Sequence, residues 1–288
     1  MREDNNSLLN PHSINDDRPH RRRRYQSTIT YTIEYFSCCC SKTQRIYLSP
    51  STSLNFTLIS TLFLFFIPSA LFYIFILPSF SPFILLLPSS IASSLIFIAM
   101  LYCYFDIVTT PPGYVETSNQ ITLKEYEELN PRKVIKETEY ILPYCETCQI
   151  VRDVRVFHCK KCNKCIQRHD HHCEFVNNCV GKNNHCKFLK FIIFAAMHST
   201  FIAVYCILYI VKQLQLTDTF FNSPADIICV VILVIALLIS LTMIFFVIQH
   251  LVLISNNVTT SESIRKKYKH DAFDRGCSAN WKEMIYHI

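Results

Sequence analysis

From Ile46 to Phe105 the chain carries no Asp, Glu, Lys or Arg. Sixty uncharged residues, many of them Leu, Ile and Phe, are more than a soluble domain hides in its core. A helix that crosses a bilayer needs about 20 apolar residues, so this block holds two spans, 55–77 and 83–105. The stretch "LPSFSP", Leu77 to Pro82, separates them, because its prolines interrupt backbone hydrogen bonding. Two further stretches, 191–211 and 227–254, are uncharged apart from histidines and read as spans three and four. The fold class that follows is an α-helical polytopic membrane protein with four transmembrane helices.

The segments between the spans set its orientation. Residues 1–54 are mostly polar and read as a disordered tail; Arg21 to Arg24 are not followed at once by an apolar run, unlike a signal peptide. This tail, the 106–190 segment and the C-terminal 255–288 tail are rich in Lys and Arg. The connection 78–82 has no charge, and 212–226 has only Lys212, Asp218 and Asp226. Basic segments stay on the cytosolic side, so both termini and 106–190 are expected there. The chain then reads as an integral multi-pass protein of endomembranes (Golgi or ER) or the plasma membrane. Cys38, Cys39 and Cys40 precede the first span, where thiols are acylated in many membrane proteins; ordinary free thiols are the plainer reading. Three glycines in 288 residues argue against nucleotide-binding loops, and a net charge of +6 is too mild to suggest a nucleic-acid partner.

Eight of the fifteen cysteines fall between 145 and 186. In a reducing cytosol they are thiols or metal thiolates, not disulfides. Repeated C-x2-C pairs with intervening histidines have the spacing of structural zinc sites. Two tetrahedral sites need eight ligands. The segment offers Cys145, Cys148, His158, Cys159, Cys162, Cys165, His169, His171, His172, Cys173, Cys179, His185 and Cys186. A cysteine left over beside a histidine and an aspartate is what nucleophilic catalysis requires: the imidazole takes the thiol proton and the carboxylate fixes the ring. Spacing alone leaves open whether Cys173 or Cys186 is the surplus thiol, and which of His171 and His172 binds metal.

Asp170-His171-His172-Cys173, set in this segment between the second and third of four spans, resembles the DHHC protein S-acyltransferases (palmitoyltransferases). The resemblance runs from Cys145 to Phe188 and includes "NNCVG" at Asn177 to Gly181 and Asn184. It extends to "TTSE", Thr259 to Glu262, and to "DAFDRGCSANW", Asp271 to Trp281, with "PPG" at Pro111 to Gly113 where the family often has Asp-Pro-Gly. It implies two structural zinc ions in a module at about 143–190, one on Cys145, Cys148, His158 and Cys165, the other on Cys159, Cys162, His172 and Cys179. It also implies Cys173 as nucleophile, His171 as its base and Asp170 as the residue orienting that base. The activity implied is transfer of a long-chain acyl group, palmitoyl above all, from acyl-CoA to cysteines of membrane-associated substrate proteins. The alternative is a non-catalytic zinc scaffold that recruits partners at a bilayer.

The sequence departs from the family at Glu174-Phe175, where Pro-Trp is usual, and at His185 and Cys186, where Tyr and Arg are common. A carboxylate directly after the nucleophile is expected to disfavour the thiolate and slow acylation, unless it pairs with Lys182 or Arg168. Lys160, Lys161, Lys164 and Arg168 read either as contacts for coenzyme A phosphates or as a solvated basic face. Thr259-x-x-Glu262 is also a capping box that would open a helix. His198 and His250 fall within spans, where a neutral packing role competes with a functional one.

Overall fold

The computed structural model describes residues 30–31, 46–47, 54–80, 83–118, 120–217, 219, 221–269 and 271–286. Most of the 1–54 tail, with Arg21 to Arg24 and Cys38 to Cys40, lies outside the described residues. Two short strands, β1 (Thr30–Tyr31) and β2 (Ile46–Tyr47), pair antiparallel.

Among the described residues, four helices are long and apolar enough to cross a membrane. The first is α1 (Leu54–Leu71), prolonged by a wide π turn at Phe72–Ile76 and a tight 3-10 turn at Leu77–Ser79. Pro68 lies inside α1, where its missing N–H and its ring disturb the helical ladder back toward Leu64. Helix α2 (Phe83–Thr109) follows, and α4 (His185–Thr217) and α5 (Pro224–Ser255) come after the cysteine-rich segment. Helix α4 packs along both α2 and α5. One buried cluster (Phe72, Ile76, Ile202, Tyr209, Ile232) fills the end near the 3-10 turn. Another (Met100, Tyr104, Phe188, Phe191, Ile192, Met243) fills the opposite end, beside the cysteine-rich segment. Outward faces remain apolar, with Leu95, Leu238, Leu241 and Phe245 each more than 60% exposed.

The helices outrun the sequence expectation at several ends: α2 continues to Thr109 instead of stopping at 105, and α4 begins at His185 instead of 191. Charge explains both. The expected spans stop before Asp106 and start after Lys190, but Asp106 accepts from Lys187 Nζ at 2.6 Å, so each side chain neutralises the other inside the packed helix ends. Lys212, near the far end of α4, donates to the Ser79 carbonyl.

Between α2 and α4 lie α3 (Leu123–Leu129), the hairpin β3 (Arg132–Ile135)–β4 (Thr138–Ile141) and three small ribbons. The ribbons are β5 (Tyr144–Cys145) with β6 (Ile150–Val151), β7 (Phe157–Cys159) with β8 (Lys164–Ile166), and β9 (His171–Cys173) with β10 (Asn178–Val180). Their own apolar clusters are small and mostly made of cysteine, too little to hold such short strands unaided. The third ribbon joins the helices instead: Cys173, Val176 and Val180 belong to the cluster of Phe188 and Met243. At Gly181 a Cβ would stand 2.6 Å from the Pro112 carbonyl and 2.7 Å from Ile166 Cγ2, so only glycine lets "NNCVG" close onto the Pro111–Gly113 loop.

After α5, helix α6 (Thr260–Arg265) turns back over the third ribbon, and α7 (Cys277–Tyr286) packs on α5. Asn280 Nδ2 donates to the Ser255 carbonyl at 2.7 Å and Trp281 Nε1 to Ser255 Oγ at 3.1 Å, which places the 271–281 motif at the end of α5.

Candidate active site and metal centres

The three ribbons share one loop. In each, the cysteine ending the first strand pairs with the residue five positions on: Cys145 with Ile150, Cys159 with Lys164, Cys173 with Asn178. In each, the last loop residue takes a left-handed backbone: Gln149, Asn163 and Asn177, with φ of 56°, 52° and 44°. The repeat is 14 residues, from 145 to 159 to 173.

The first two loops carry a second cysteine three residues after the first. Cys145 and Cys148 meet His158 and Cys165, which face each other across the second ribbon. Cys159 and Cys162 meet His172 and Cys179, which face each other across the third. In each set the four ligand atoms lie within 4.8 Å of one another. His158 Nδ1 is 3.5, 3.4 and 3.8 Å from the sulfurs of Cys145, Cys148 and Cys165. His172 Nδ1 is 3.7, 3.4 and 3.5 Å from those of Cys159, Cys162 and Cys179. Donors held 2.0–2.3 Å from a tetrahedral ion stand about 3.3–3.8 Å apart, so both donor sets suit zinc in chemistry and in spacing. Each ion would clip one ribbon's loop to the next ribbon's strands.

The third loop differs. Val176 stands where the other loops have their second cysteine, and Cys173 belongs to neither ligand set. Cys173 and His171 line the mouth of a cavity of about 510 Å³ that runs between α1, α4 and α5. Its walls are apolar, among them Leu64, Phe65, Phe191, Ile192, Leu238 and Met243. His171 Nδ1 lies 2.6 Å from Asp170 Oδ2. A carboxylate only accepts, so the ring proton sits on Nδ1.

Asp170 is fully buried. Burial alone would raise its pKa, but the bond to His171 and the charges of nearby histidines hold it well below the usual carboxylate range. Its other oxygen accepts from the Thr260 N–H at 2.8 Å, and its backbone carbonyl accepts from Ser261 Oγ at 2.6 Å. For His171, burial pulls the pKa down, yet the bonds to Asp170 and Cys173 carry it up to about 10. His250, from α5, completes the surround: its ring centroid is 6.0 Å from that of His171, and its Nδ1 is 3.1 Å from His185 Nε2.

Thr259 and Glu262 do form a capping box at α6, and the same residues dock that helix. Glu262 takes two bonds from Arg155, 2.7 Å from Nε and 2.9 Å from Nη2, with both side chains buried. Arg155 also donates to the Asn257 side chain and carbonyl, each at 2.9 Å. Sequence reading missed Arg155 and Asn257, whose partners lie about a hundred residues away in the chain. The 14-residue repeat was the signal it left unused: it pairs His158 with His172 and sets His171 outside the ligand series.

Two expectations are corrected. Arg168 does not belong to a solvated basic face with Lys160, Lys161 and Lys164: it is buried and donates to Asn257 Oδ1 at 2.9 Å, while Lys164 lies over the Tyr114 ring and Lys161 pairs with Glu174. Glu174 therefore pairs with neither Lys182 nor Arg168; the first turn of the loop brings it beside Lys161 of the preceding ribbon. His198 takes the packing role, its Nε2 2.8 Å from Ser69 Oγ between α1 and α4.

Residues 138–267 match the family model described as DHHC palmitoyltransferase. Palmitoyltransferase ZDHHC20 of Homo sapiens is 27% identical over 220 residues, covering 68% of this chain and 59% of that protein. Probable protein S-acyltransferase 13 of Arabidopsis thaliana is 27% identical over 205 residues, covering 66% of each. Probable protein S-acyltransferase 3 of the same plant is 31% identical over 149 residues, covering 50% of this chain and 35% of that protein. In each case the chain spans less than two thirds of the relative's length. The matched domain and these relatives, with a DHHC tetrad set between paired ligand clusters, make residues 138–267 similar to the DHHC palmitoyltransferases.

Proposed function

We propose that this chain is a four-span membrane enzyme that moves a long-chain acyl group from acyl-CoA to cysteines of membrane-associated proteins, through an acyl-enzyme on Cys173. The observation that carries the reading is Cys173 at the mouth of an apolar cavity, beside a histidine bonded to a buried aspartate. An acyl chain belongs among the apolar walls while its thioester stays at the polar rim.

The steps use this chain's residues. The Cys173 thiolate attacks the thioester carbonyl, and collapse of the tetrahedral adduct expels the coenzyme A sulfur, which takes the proton from His171 Nε2. A substrate thiol then gives its proton to His171 and attacks the acyl-enzyme. Cys173 leaves as thiolate, and the imidazolium is restored. Asp170 keeps the ring turned and stabilises its positive form. Zinc, on Cys145, Cys148, His158 and Cys165 and on Cys159, Cys162, His172 and Cys179, would be structural, because protein fills all four positions of each ion. The basic segments support a cytosolic side for both termini and the ribbon module, where acyl-CoA is met.

The test is incubation of the full chain in detergent with labelled palmitoyl-CoA. The expected result is a hydroxylamine-sensitive label that Cys173→Ser abolishes while the metal content stays near two per chain. No label on the native chain would favour a zinc scaffold, and a label surviving in the variant would move the nucleophile elsewhere.

A further inference from the structure

A second cavity, of about 430 Å³, opens between the ribbon module and the C-terminal segment and shares no lining residue with the first. Arg168 stands in its wall, 8% exposed. One guanidinium nitrogen donates to Asn257 Oδ1 at 2.9 Å, but Nε is buried with no partner. Among the described residues no carboxylate lies within ion-pair distance of Arg168. The nearest ones are committed: Glu262 to Arg155, Asp170 to His171 and Thr260, Glu283 to Asn257 Nδ2 at 2.8 Å and to Arg155 at 3.7 Å. A buried guanidinium without a counter-ion is costly to fold, and here it borders open space.

The rest of the wall adds positive charge. Lys182 and Arg275 are exposed at the cavity, and Arg155 lies deeper. Two carboxylates also line it. Asp153 is neutralised by Lys133 at 2.8 Å, and Glu283 lies between Arg155 and Arg275, the latter at 4.0 Å. With Arg155 neutralised by Glu262, the cations Arg168, Lys182 and Arg275 face two engaged carboxylates, so the cavity keeps a positive surplus. Burial, helped by the neighbouring Arg155, pulls the Arg168 pKa down to about 10, which leaves it charged at neutral pH.

We propose that this cavity binds a phosphomonoester group, with Arg168 as its buried anchor and Lys182 and Arg275 at its rim. A phosphate dianion offers the planar guanidinium two acceptors at once and supplies the missing counter-charge. The space exceeds a lone phosphate, so the ligand is a phosphorylated small molecule or a phosphorylated lipid headgroup. Because Arg168 and Arg155 share Asn257, filling the cavity would also brace the attachment of α6, which caps Asp170.

The test uses the full chain in detergent, and its outcome is independent of acyl transfer. Binding of inositol trisphosphate and of inorganic phosphate is measured at matched ionic strength, with chloride as control. Both should bind saturably, and Arg168→Gln should weaken inositol trisphosphate by about tenfold or more. Lys182→Gln, on the exposed rim, keeps the fold safe and should weaken it less. A parallel arm compares nanodiscs of phosphatidylcholine with and without phosphatidylinositol phosphate. Protection of Lys182 from acylating reagents only in the second kind assigns the site to a headgroup, whereas saturation by the free compounds assigns it to a soluble ligand. Absence of binding in every arm, or binding unchanged in both variants, overturns the proposal. So does binding of coenzyme A without binding of phosphate or inositol trisphosphate, which would give the cavity to the acyl donor.

Discussion

The Thr260 N–H donates to Asp170 Oδ1 across 2.8 Å, on the side opposite the Asp170–His171 bond. The two residues are 90 apart in sequence and join the C-terminal segment to the Asp170–His171 pair. Helix α6 can hold Asp170 only if α6 is itself held, and Glu262 performs that task through Arg155.

Glu262→Gln should therefore act on both stability and chemistry. It leaves Arg155 buried with a weakened partner, and losing one member of a buried pair costs about 3–5 kcal/mol. Denaturant unfolding in detergent reads the first effect; the rate of acyl-enzyme formation reads the second. A variant as stable as the native chain would show that the Arg155–Glu262 contact does not hold α6.

The adjacent histidines should separate cleanly. His171→Ala is expected to keep both metal ions and lose about 10²–10⁴-fold in acyl-enzyme formation, the usual worth of a positioned acid–base group. His172→Ala should lose one ion and loosen the second and third ribbons. Metal analysis of the two purified variants decides it, and the reverse pattern would exchange their roles.

Chelation should unfold the ribbons and spare the helices. The ribbons have scant apolar core, whereas α4 is packed along α2 and α5. Stripping metal in detergent is expected to make residues 143–180 sensitive to protease while the far-ultraviolet helical signal persists. Ribbons that stay resistant without metal would show that packing alone suffices.

Glu174→Gln should change acylation by less than about threefold. Its carboxylate is more than half exposed and paired with Lys161, which is also exposed, so solvent and the partner cation screen it. Single-turnover acylation from pH 6 to 9 gives the comparison, and a clear acceleration would restore the view that this carboxylate opposes the thiolate.

The four long helices were legible because a bilayer-length apolar run without charge admits little else. Their ends were not, since Lys187 and Asp106 cancel across 81 positions that no local pattern links. The ribbons were illegible as strands: two or three residues carry no alternation, and their loops are set by cysteine spacing and left-handed residues such as Asn163. Both ligand sets came from the family resemblance, because thirteen candidate donors outnumber eight places. Arg155 was invisible, since an arginine's counter-ion is decided by tertiary folding.

The 14-residue repeat has a consequence for why a metal would not settle on Cys173. Continued once more, the series Cys145, Cys148, His158, Cys165 reaches Cys173, Val176, Cys186 and Ile193. The third loop has the backbone of a metal knuckle but only half its donors, and Val176 is wholly buried in the helical core. Cys173 thus escapes capture by omission: the fold repeats a chelator until its last copy, where one valine withholds the second sulfur.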